Sequence, residues 1–366
     1  MLLSKAELEE CAHTHPEVAA VGQNGDVGLM VILMSAQFRA KYPQPPPTTD
    51  PLAARRALRG FIEANLKRLG PAPSDCEEFY HDVEMRDGFR SSAKICKPAK
   101  SQPGPLVVLL FGGGFIGGDN DQLTETARIC VRSFGATVVN ISYRCAPEYK
   151  FPVAQHDAWD HLYWIAENAT TPILAADPAK GFIIGGVSAG AAIAAALSRK
   201  FQEESLAYPL TGQWLAAPSI MHSGCCPPKY RSRYISVEQN SSASSSLARE
   251  SLQMMMDAVQ WDRDSDLRYA ANSTTPLAEQ PRTFLQVSGQ DPLRDDGLIY
   301  EEMLKDAGVP TKLDLYPGCP HAHWASMRGL AVANRALIDT VIGIGWLLKS
   351  NVARQMAAEA WKISPA

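Results

Sequence analysis

The chain has 366 residues and a formal net charge of −4. That length suits two to three domains or one large α/β unit. A hydrophobic fraction of 46% beside 20% charged residues is ordinary globular composition, and no basic block interleaved with aromatics marks a nucleic-acid binder.

In chain order, the start "MLLSKAELEECAHTHPEV" lacks a basic segment followed by an apolar one, so it does not read as a secretory signal. The apolar run "VGLMVILM", residues 27–34, is far short of the roughly 20 residues a membrane helix needs, and it reads as a core or cap helix. The expectation is a soluble, cytoplasmic protein without a membrane span. "YPQPPPTTD" is a rigid connector. "DPLAARRALRGFIEANLKRLG" is a helix: Asp50 caps it, Pro51 suits its first turn, and Gly70 with Pro71 ends it. Leu58, Phe61, Ile62, Leu66 and Leu69 share one face at helical spacing.

From about residue 105 the pattern changes. "PLVVLLF", "ATVVNISY" and "GFIIGGV" read as buried strands separated by helical stretches, and "RTFLQVS" and "TKLDLY" follow later, around a helix that ends on Gly308. This alternation argues for a mostly parallel sheet with helices on both faces. Residues 218–280 break it: a polar loop leads to a helix, read as an insertion over the sheet edge. The domain expectation is an N-terminal helical cap segment over 1–75, a core over 76–217 and 281–366, and a cap insertion over 218–280. Within that insertion Met254, Met255 and Met256 offer an adaptable apolar lining, although a triplet cannot all face one way.

The eight cysteines (Cys11, Cys76, Cys96, Cys130, Cys145, Cys225, Cys226 and Cys319) form no CxxC pair, so they are expected to stay reduced. The vicinal Cys225 and Cys226 are not read as a redox pair. The histidines lack metal-binding spacing, so neither metal nor cofactor is expected.

The chemistry centres on "GGVSAG", residues 185–190. GxSxG is weak alone, but here a strand precedes it and an alanine-rich helix follows. A nucleophile elbow needs that context, because its sharp turn strains the serine and requires small residues two positions to either side. Ser188 is therefore the candidate nucleophile, and the helix start behind it offers free N–H groups. "LLFGGGFIGGD", residues 109–119, has three glycines directly after a strand; it lacks the lysine of a P-loop and reads as an oxyanion loop. A serine needs a base and the base an orienting acid. "QVSGQDPLRDDG" and "YPGCPHAHW" each follow a strand and supply them, in the order Ser188, Asp291, His321. Asp295 and Asp296 are alternative acids close behind Asp291.

With these stretches and "ISYRCAPEYKFPVAQHDAWD", the chain resembles the α/β-hydrolases of the hormone-sensitive lipase-like family, in particular fungal-type members, over roughly residues 80 to 325. The resemblance implies an α/β-hydrolase fold with a helical cap, and a triad of Ser188, Asp291 and His321. It also implies an oxyanion hole from the N–H groups of Gly113, Gly114 and Ala189. Asp291 matches the family's Asp-Pro-Leu, which leaves Asp295 and Asp296 to cap the next helix; Arg144 and Glu148 are expected to pin a loop. Two positions depart from the family pattern. Phe111 stands where a histidine usually begins the glycine run, so a polar brace is lost. His323 stands where a phenylalanine usually packs; it either lines the pocket, bonds a substrate oxygen or simply packs. The implied activity is hydrolysis of a carboxylic ester or lactone of a small to medium organic substrate. The oligomeric state stays open, with a homodimer as one option. The rivals are a biosynthetic thioesterase, acyl transferase or non-hydrolytic cyclase on the same scaffold, and a receptor. Plant gibberellin receptors resemble this family but have lost the catalytic histidine, which is present here.

Overall fold

A computed structural model describes residues 48–100, 102–204, 206–241 and 247–362. The expectations for residues 1–47, including the 27–34 run, and for the serine-rich 242–246 lie outside the described residues.

Eight strands form one sheet in the order β1-β2-β4-β3-β5-β6-β7-β8. They are β1 (Cys76–Glu84), β2 (Arg90–Pro98), β3 (Leu106–Leu110), β4 (Thr137–Ile141), β5 (Phe182–Val187), β6 (Gly212–Ala216), β7 (Arg282–Ser288) and β8 (Thr311–Tyr316). β2 pairs antiparallel with β1 and with β4, and every other pairing is parallel. β3, β4 and β5 are buried along their whole length, which is why they read as unbroken apolar runs. Val108 and Leu110 pack with α3 (Val153–Asn168), α4 (Ala189–Glu203) and α7 (Arg294–Asp306) on one side. Val107 and Leu109 pack with α2 (Thr124–Phe134), α9 (Ala331–Leu347) and α10 (Arg354–Ala360) on the other. Between β6 and β7 the described residues hold no strand; they carry α5 (Ser236–Asn240), α6 (Arg249–Val259) and short 3-10 turns. A four-residue α8 (His323–Ser326) follows β8.

β2 and β6 escape the apolar pattern because polar residues on them are buried against partners, and β1 escapes it because it is a half-exposed edge strand. Lys94 on β2 donates to Asp121 at 3.0 Å and to the Thr124 hydroxyl at 2.9 Å. Gln213 on β6 donates to the Thr283 hydroxyl at 2.9 Å.

The first described helix, α1 (Pro51–Leu69), has the expected ends. The Asp50 carboxylate accepts the Leu52 N–H at 2.9 Å, and Gly70 stops the helix at φ 68°. Its expected apolar face is not its main anchor, because only Ile62 is fully buried and Phe61 is 38% exposed. Arginines tie it down instead. Arg55 donates to the Ile116 carbonyl at 2.6 Å and grips Glu148 through both terminal nitrogens, at 2.9 and 2.7 Å. Arg59 meets Asp119, and Arg68 meets Glu125 at 2.7 Å.

Asp295 and Asp296 do not cap α7, whose N-terminal residue has no side-chain cap. They face the insertion instead. The Asp295 carboxylate accepts the N–H groups of Ile235 and Ser236, both at 2.7 Å. The Asp296 carboxylate accepts those of Ile220 and Met221 and the Tyr234 hydroxyl. Two acids that read as local caps are long-range staples.

Arg144 does pin a loop. Its guanidinium clasps Asp157, which is fully buried, at 2.7 and 2.9 Å, and reaches Asp87 at 2.7 Å. Removing one partner strands a charge in the core. Arg144→Met is expected to destabilise the protein by about 3–5 kcal/mol, seen as a lower urea midpoint with an unchanged slope.

Candidate active site

β3 and β5 are sheet neighbours, but the chain leaves them in opposite directions, β3 towards β4 and β5 towards β6. Such a reversal opens a crevice beyond the strands' C-terminal ends. The glycine loop leaves β3 there, and Ser188 leaves β5 there.

Ser188 has φ 56° and ψ −117°, a strained conformation for a residue with a side chain. Its N–H donates to the Ala216 carbonyl on β6 at 2.8 Å. The turn closes only because its neighbours are glycines. A Cβ on Gly186 would lie 2.5 Å from the Gly190 carbonyl carbon, and one on Gly190 would lie 2.2 Å from the Leu110 oxygen. Ala189 begins α4, so its N–H is among the helix-start donors without an intrahelical acceptor.

The three expected side chains meet. His321 Nε2 lies 2.9 Å from Ser188 Oγ, and His321 Nδ1 lies 2.7 Å from Asp291 Oδ2. Asp291 is 1% exposed, and its other oxygen accepts the Leu293 N–H at 2.9 Å, which fixes the carboxylate plane. This arrangement gives His321 Nδ1 the proton and leaves Nε2 free to accept one from the serine.

The glycine loop abuts the serine: a Cβ on Gly112 would lie 3.3 Å from Ser188 Cβ. Gly113 and Gly114 have positive φ, 141° and 62°, and their N–H groups meet no acceptor among the described residues. Phe111 stacks on Tyr143 with ring centres 3.9 Å apart. The Tyr143 hydroxyl donates to the Phe111 carbonyl at 2.7 Å, and Gln122 Oε1 accepts the Gly112 N–H at 2.8 Å. The loop therefore has a polar brace after all, from two residues that sequence reasoning missed. The Gln122 acceptor comes from eleven residues beyond the position of the lost histidine, and no local pattern announces it.

His323 is fully buried. Its Nδ1 lies 3.1 Å from the Ser288 hydroxyl, and its ring sits between Tyr316 and Trp324 with centres 5.1 Å from each. Ala322, at φ 48°, separates it from His321. Of the three roles open to it, packing is the one its position allows.

The insertion reaches the site twice. Asn240 donates to the Asp291 carbonyl at 3.0 Å, holding the acid loop. Met255 on α6 lies over the oxyanion loop, with its sulfur 2.4 Å from where a Gly114 Cβ would stand. Met254 turns into the core, so the triplet divides as its spacing requires. Behind the loop, the buried Arg268 guanidinium lies over the rings of Phe115, Trp261 and Tyr269 at 5.0, 4.1 and 4.0 Å. Burial pushes the neighbouring Asp296 carboxyl up to about 7.

A family profile described as the alpha/beta hydrolase fold matches residues 107–325. The chain is an α/β hydrolase of the hormone-sensitive lipase-like family. This hydrolase is 32% identical over 298 residues to versiconal hemiacetal acetate esterase of Dothistroma septosporum, covering 80% of this chain and 88% of that one. It is 31% identical over 300 residues to an AB hydrolase superfamily protein of Schizosaccharomyces pombe, covering 80% and 87%. Among solved structures, vibralactone cyclase superposes with a TM-score of 0.77 at 28% identity, over 86% of this chain and 94% of that one. No helix among the described residues is long and apolar enough to cross a membrane.

Gln122 gives a test of the brace. Gln122→Leu frees the Gly112 peptide to rotate and misdirects the next two N–H groups. It is expected to lower kcat on an activated ester by about 10–100-fold with KM changed only a few-fold. His323→Phe in the same assay is expected to leave both constants within a few-fold.

Proposed function

We propose that this hydrolase is a serine esterase acting on a carboxylic ester or lactone of a small to medium organic molecule. The observation that carries the reading is the unbroken chain from Ser188 Oγ to His321 Nε2, 2.9 Å, and from His321 Nδ1 to Asp291 Oδ2, 2.7 Å. Ser188 Oγ attacks the carbonyl carbon while its proton passes to His321 Nε2. Asp291 holds the imidazole and stabilises its charged form. The carbonyl oxygen becomes an oxyanion facing the N–H groups of Gly113, Gly114 and Ala189. As the tetrahedral intermediate collapses, the ester C–O bond breaks and His321 returns the proton to the leaving alkoxide. Water then attacks the acyl-serine, giving one proton to His321; as the Ser188 Oγ–acyl bond breaks, His321 returns that proton to Ser188 Oγ and the acid is released. The relay needs no cofactor.

α1 and residues 218–280 act as the cap and set substrate choice, with Met255 as the apolar contact nearest the oxyanion loop. The substrate is a free small molecule, with no nucleic acid involved, and the protein works in the cytoplasm as a monomer or homodimer. The likeness to an esterase named for an acetate of a fungal metabolite supports a place in specialised metabolism. A second reading has its own support in the likeness to vibralactone cyclase. In that case a hydroxyl of the substrate, rather than water, opens the acyl-enzyme and closes a lactone.

Ser188 is expected to be the residue that a fluorophosphonate probe labels. Ser188→Ala should abolish labelling and lower turnover on p-nitrophenyl esters by about 10⁴–10⁶-fold while leaving the melting temperature almost unchanged. Labelling that persists in Ser188→Ala would end the assignment.

A further inference from the structure

The C-terminal half of α4 carries a buried cation that the protein does not neutralise. Arg199 is 4% exposed. One terminal nitrogen, Nη2, donates to the backbone carbonyls of Ser273, at 3.0 Å, and Thr275. Beyond a contact with the Tyr300 hydroxyl, Nε and Nη1 have no acceptor, and no carboxylate among the described residues lies within ion-pair distance. Glu203 and Asp266 are the acids whose charge it feels, both from farther away. Leaving a guanidinium in this state is costly, since burying an unpaired ion costs several kcal/mol. Arg144, whose side chain is largely but not fully buried, shows what a satisfied one looks like, because it is clasped by Asp157.

Further unpartnered polar groups lie beside it. Gln202 is one helical turn along α4, and both its amide nitrogen and its amide oxygen are buried without a partner. Tyr300 on α7 is fully buried, and its hydroxyl meets the Arg199 guanidinium and no other described partner. Burial dominates and lifts that hydroxyl to about 12, although the adjacent guanidinium pulls it down. The surroundings are polar as well: the Ser198 hydroxyl bonds Gln280, whose side chain also accepts from Gln213. Gln202 and Thr275 are each only half-buried, so the group lies close under the surface beside the 273–276 turn.

We propose that Arg199, Gln202 and Tyr300 form a binding site for a small oxyanion, a phosphate or a carboxylate. The guanidinium Nε and Nη1, the Tyr300 hydroxyl and the Gln202 amide supply the donors. An anion with several acceptor oxygens matches a guanidinium edge in geometry as well as charge. The site is separate from the ester chemistry. Arg199 lies eleven residues along α4 from Ser188, about 16 Å at the helical rise per residue. Its effect is on the fold, because it joins α4 and α7 to the turn carrying Ser273 and Thr275, a few residues after Arg268 and Tyr269 behind the oxyanion loop.

The test is thermal melting of the full chain in inorganic phosphate, in citrate and in chloride at matched ionic strength and pH. The chain is first capped at Ser188 with a fluorophosphonate so that the oxyanion loop cannot contribute. The expected result is a Tm rise of about 2–4 °C that saturates with phosphate or citrate but not with chloride. Whichever anion gives the larger rise identifies the ligand chemistry. Arg199→Gln should remove the rise. Tyr300→Phe keeps the ring and its packing; it should weaken the rise and stands in if Arg199→Gln fails to fold. A phosphate or citrate response that never saturates, or one that is unchanged in Arg199→Gln and Tyr300→Phe, would overturn the proposal and leave Arg199 as a hydrated strut.

Discussion

At φ 56° and ψ −117° the Ser188 backbone stores about 1–3 kcal/mol of strain, and the structure around it is arranged to hold that strain in place. β5 must end and α4 must begin within one residue. This forces the start of α4 against the end of β3, close enough that Gly190 has no room for a side chain beside the Leu110 carbonyl. It also explains the alanines that follow: from Ala189 to Arg199 every residue of α4 is buried, so the helix lies flat on the sheet and needs small side chains to do so. The same contact sets the glycine loop beside the serine, since that loop is the continuation of β3. The positions of Ser188 and of the glycine loop, the proposed nucleophile and oxyanion donors, are thus two consequences of one close approach between neighbouring strands.

A loop of consecutive glycines has little stiffness of its own, and here others supply it. Gln122 and Tyr143 hold its first two peptides. Arg55 on α1 fixes the Ile116 carbonyl just beyond it. Met255 and the stack of Arg268 on Phe115 press on it from the insertion. The insertion is itself fastened to α7 by Asp295 and Asp296 and to the acid loop by Asn240. The elements proposed as the cap therefore also hold the glycine loop and the loop of Asp291. A change in α6 or α1 that alters substrate fit will be felt in the geometry of the loop.

The parts legible in the sequence were those governed by local rules. β3, β4 and β5 showed as apolar runs because both their faces are covered. Ser188 showed because an elbow needs glycines at fixed offsets, and α1 showed through Asp50, Pro51 and Gly70. β2 and β6 did not show, since Lys94 and Gln213 are buried against partners far along the chain and look like surface residues in a window, and β1 did not show because it is a half-exposed edge strand. The same cause misdirected Asp295 and Asp296, whose position at a helix start suggests capping while their partners lie about 60 to 76 residues away. Phe111 suggested a lost brace because the replacement comes from Gln122 and from a strand-end tyrosine. His323 could be placed only once the direction of the loop after Ala322 was known.

Two buried arginines and one largely buried one show how this fold manages positive charge, and they differ in a way that composition cannot reveal. Arg144 is held by a carboxylate and contributes to stability in the ordinary manner of a satisfied pair. Arg268 has no carboxylate in ion-pair range among the described residues; three aromatic faces and the Ser219 oxygens share its charge, an arrangement that keeps a planar cation flat behind the oxyanion loop. Arg199 has neither a carboxylate nor a ring over it, only two backbone carbonyls on one edge. A methionine would fill similar volume there at less electrostatic cost. What a guanidinium offers beyond a methionine is donors, and at Arg199 those not taken by the two carbonyls lie beside the Tyr300 hydroxyl and the unpartnered Gln202 amide.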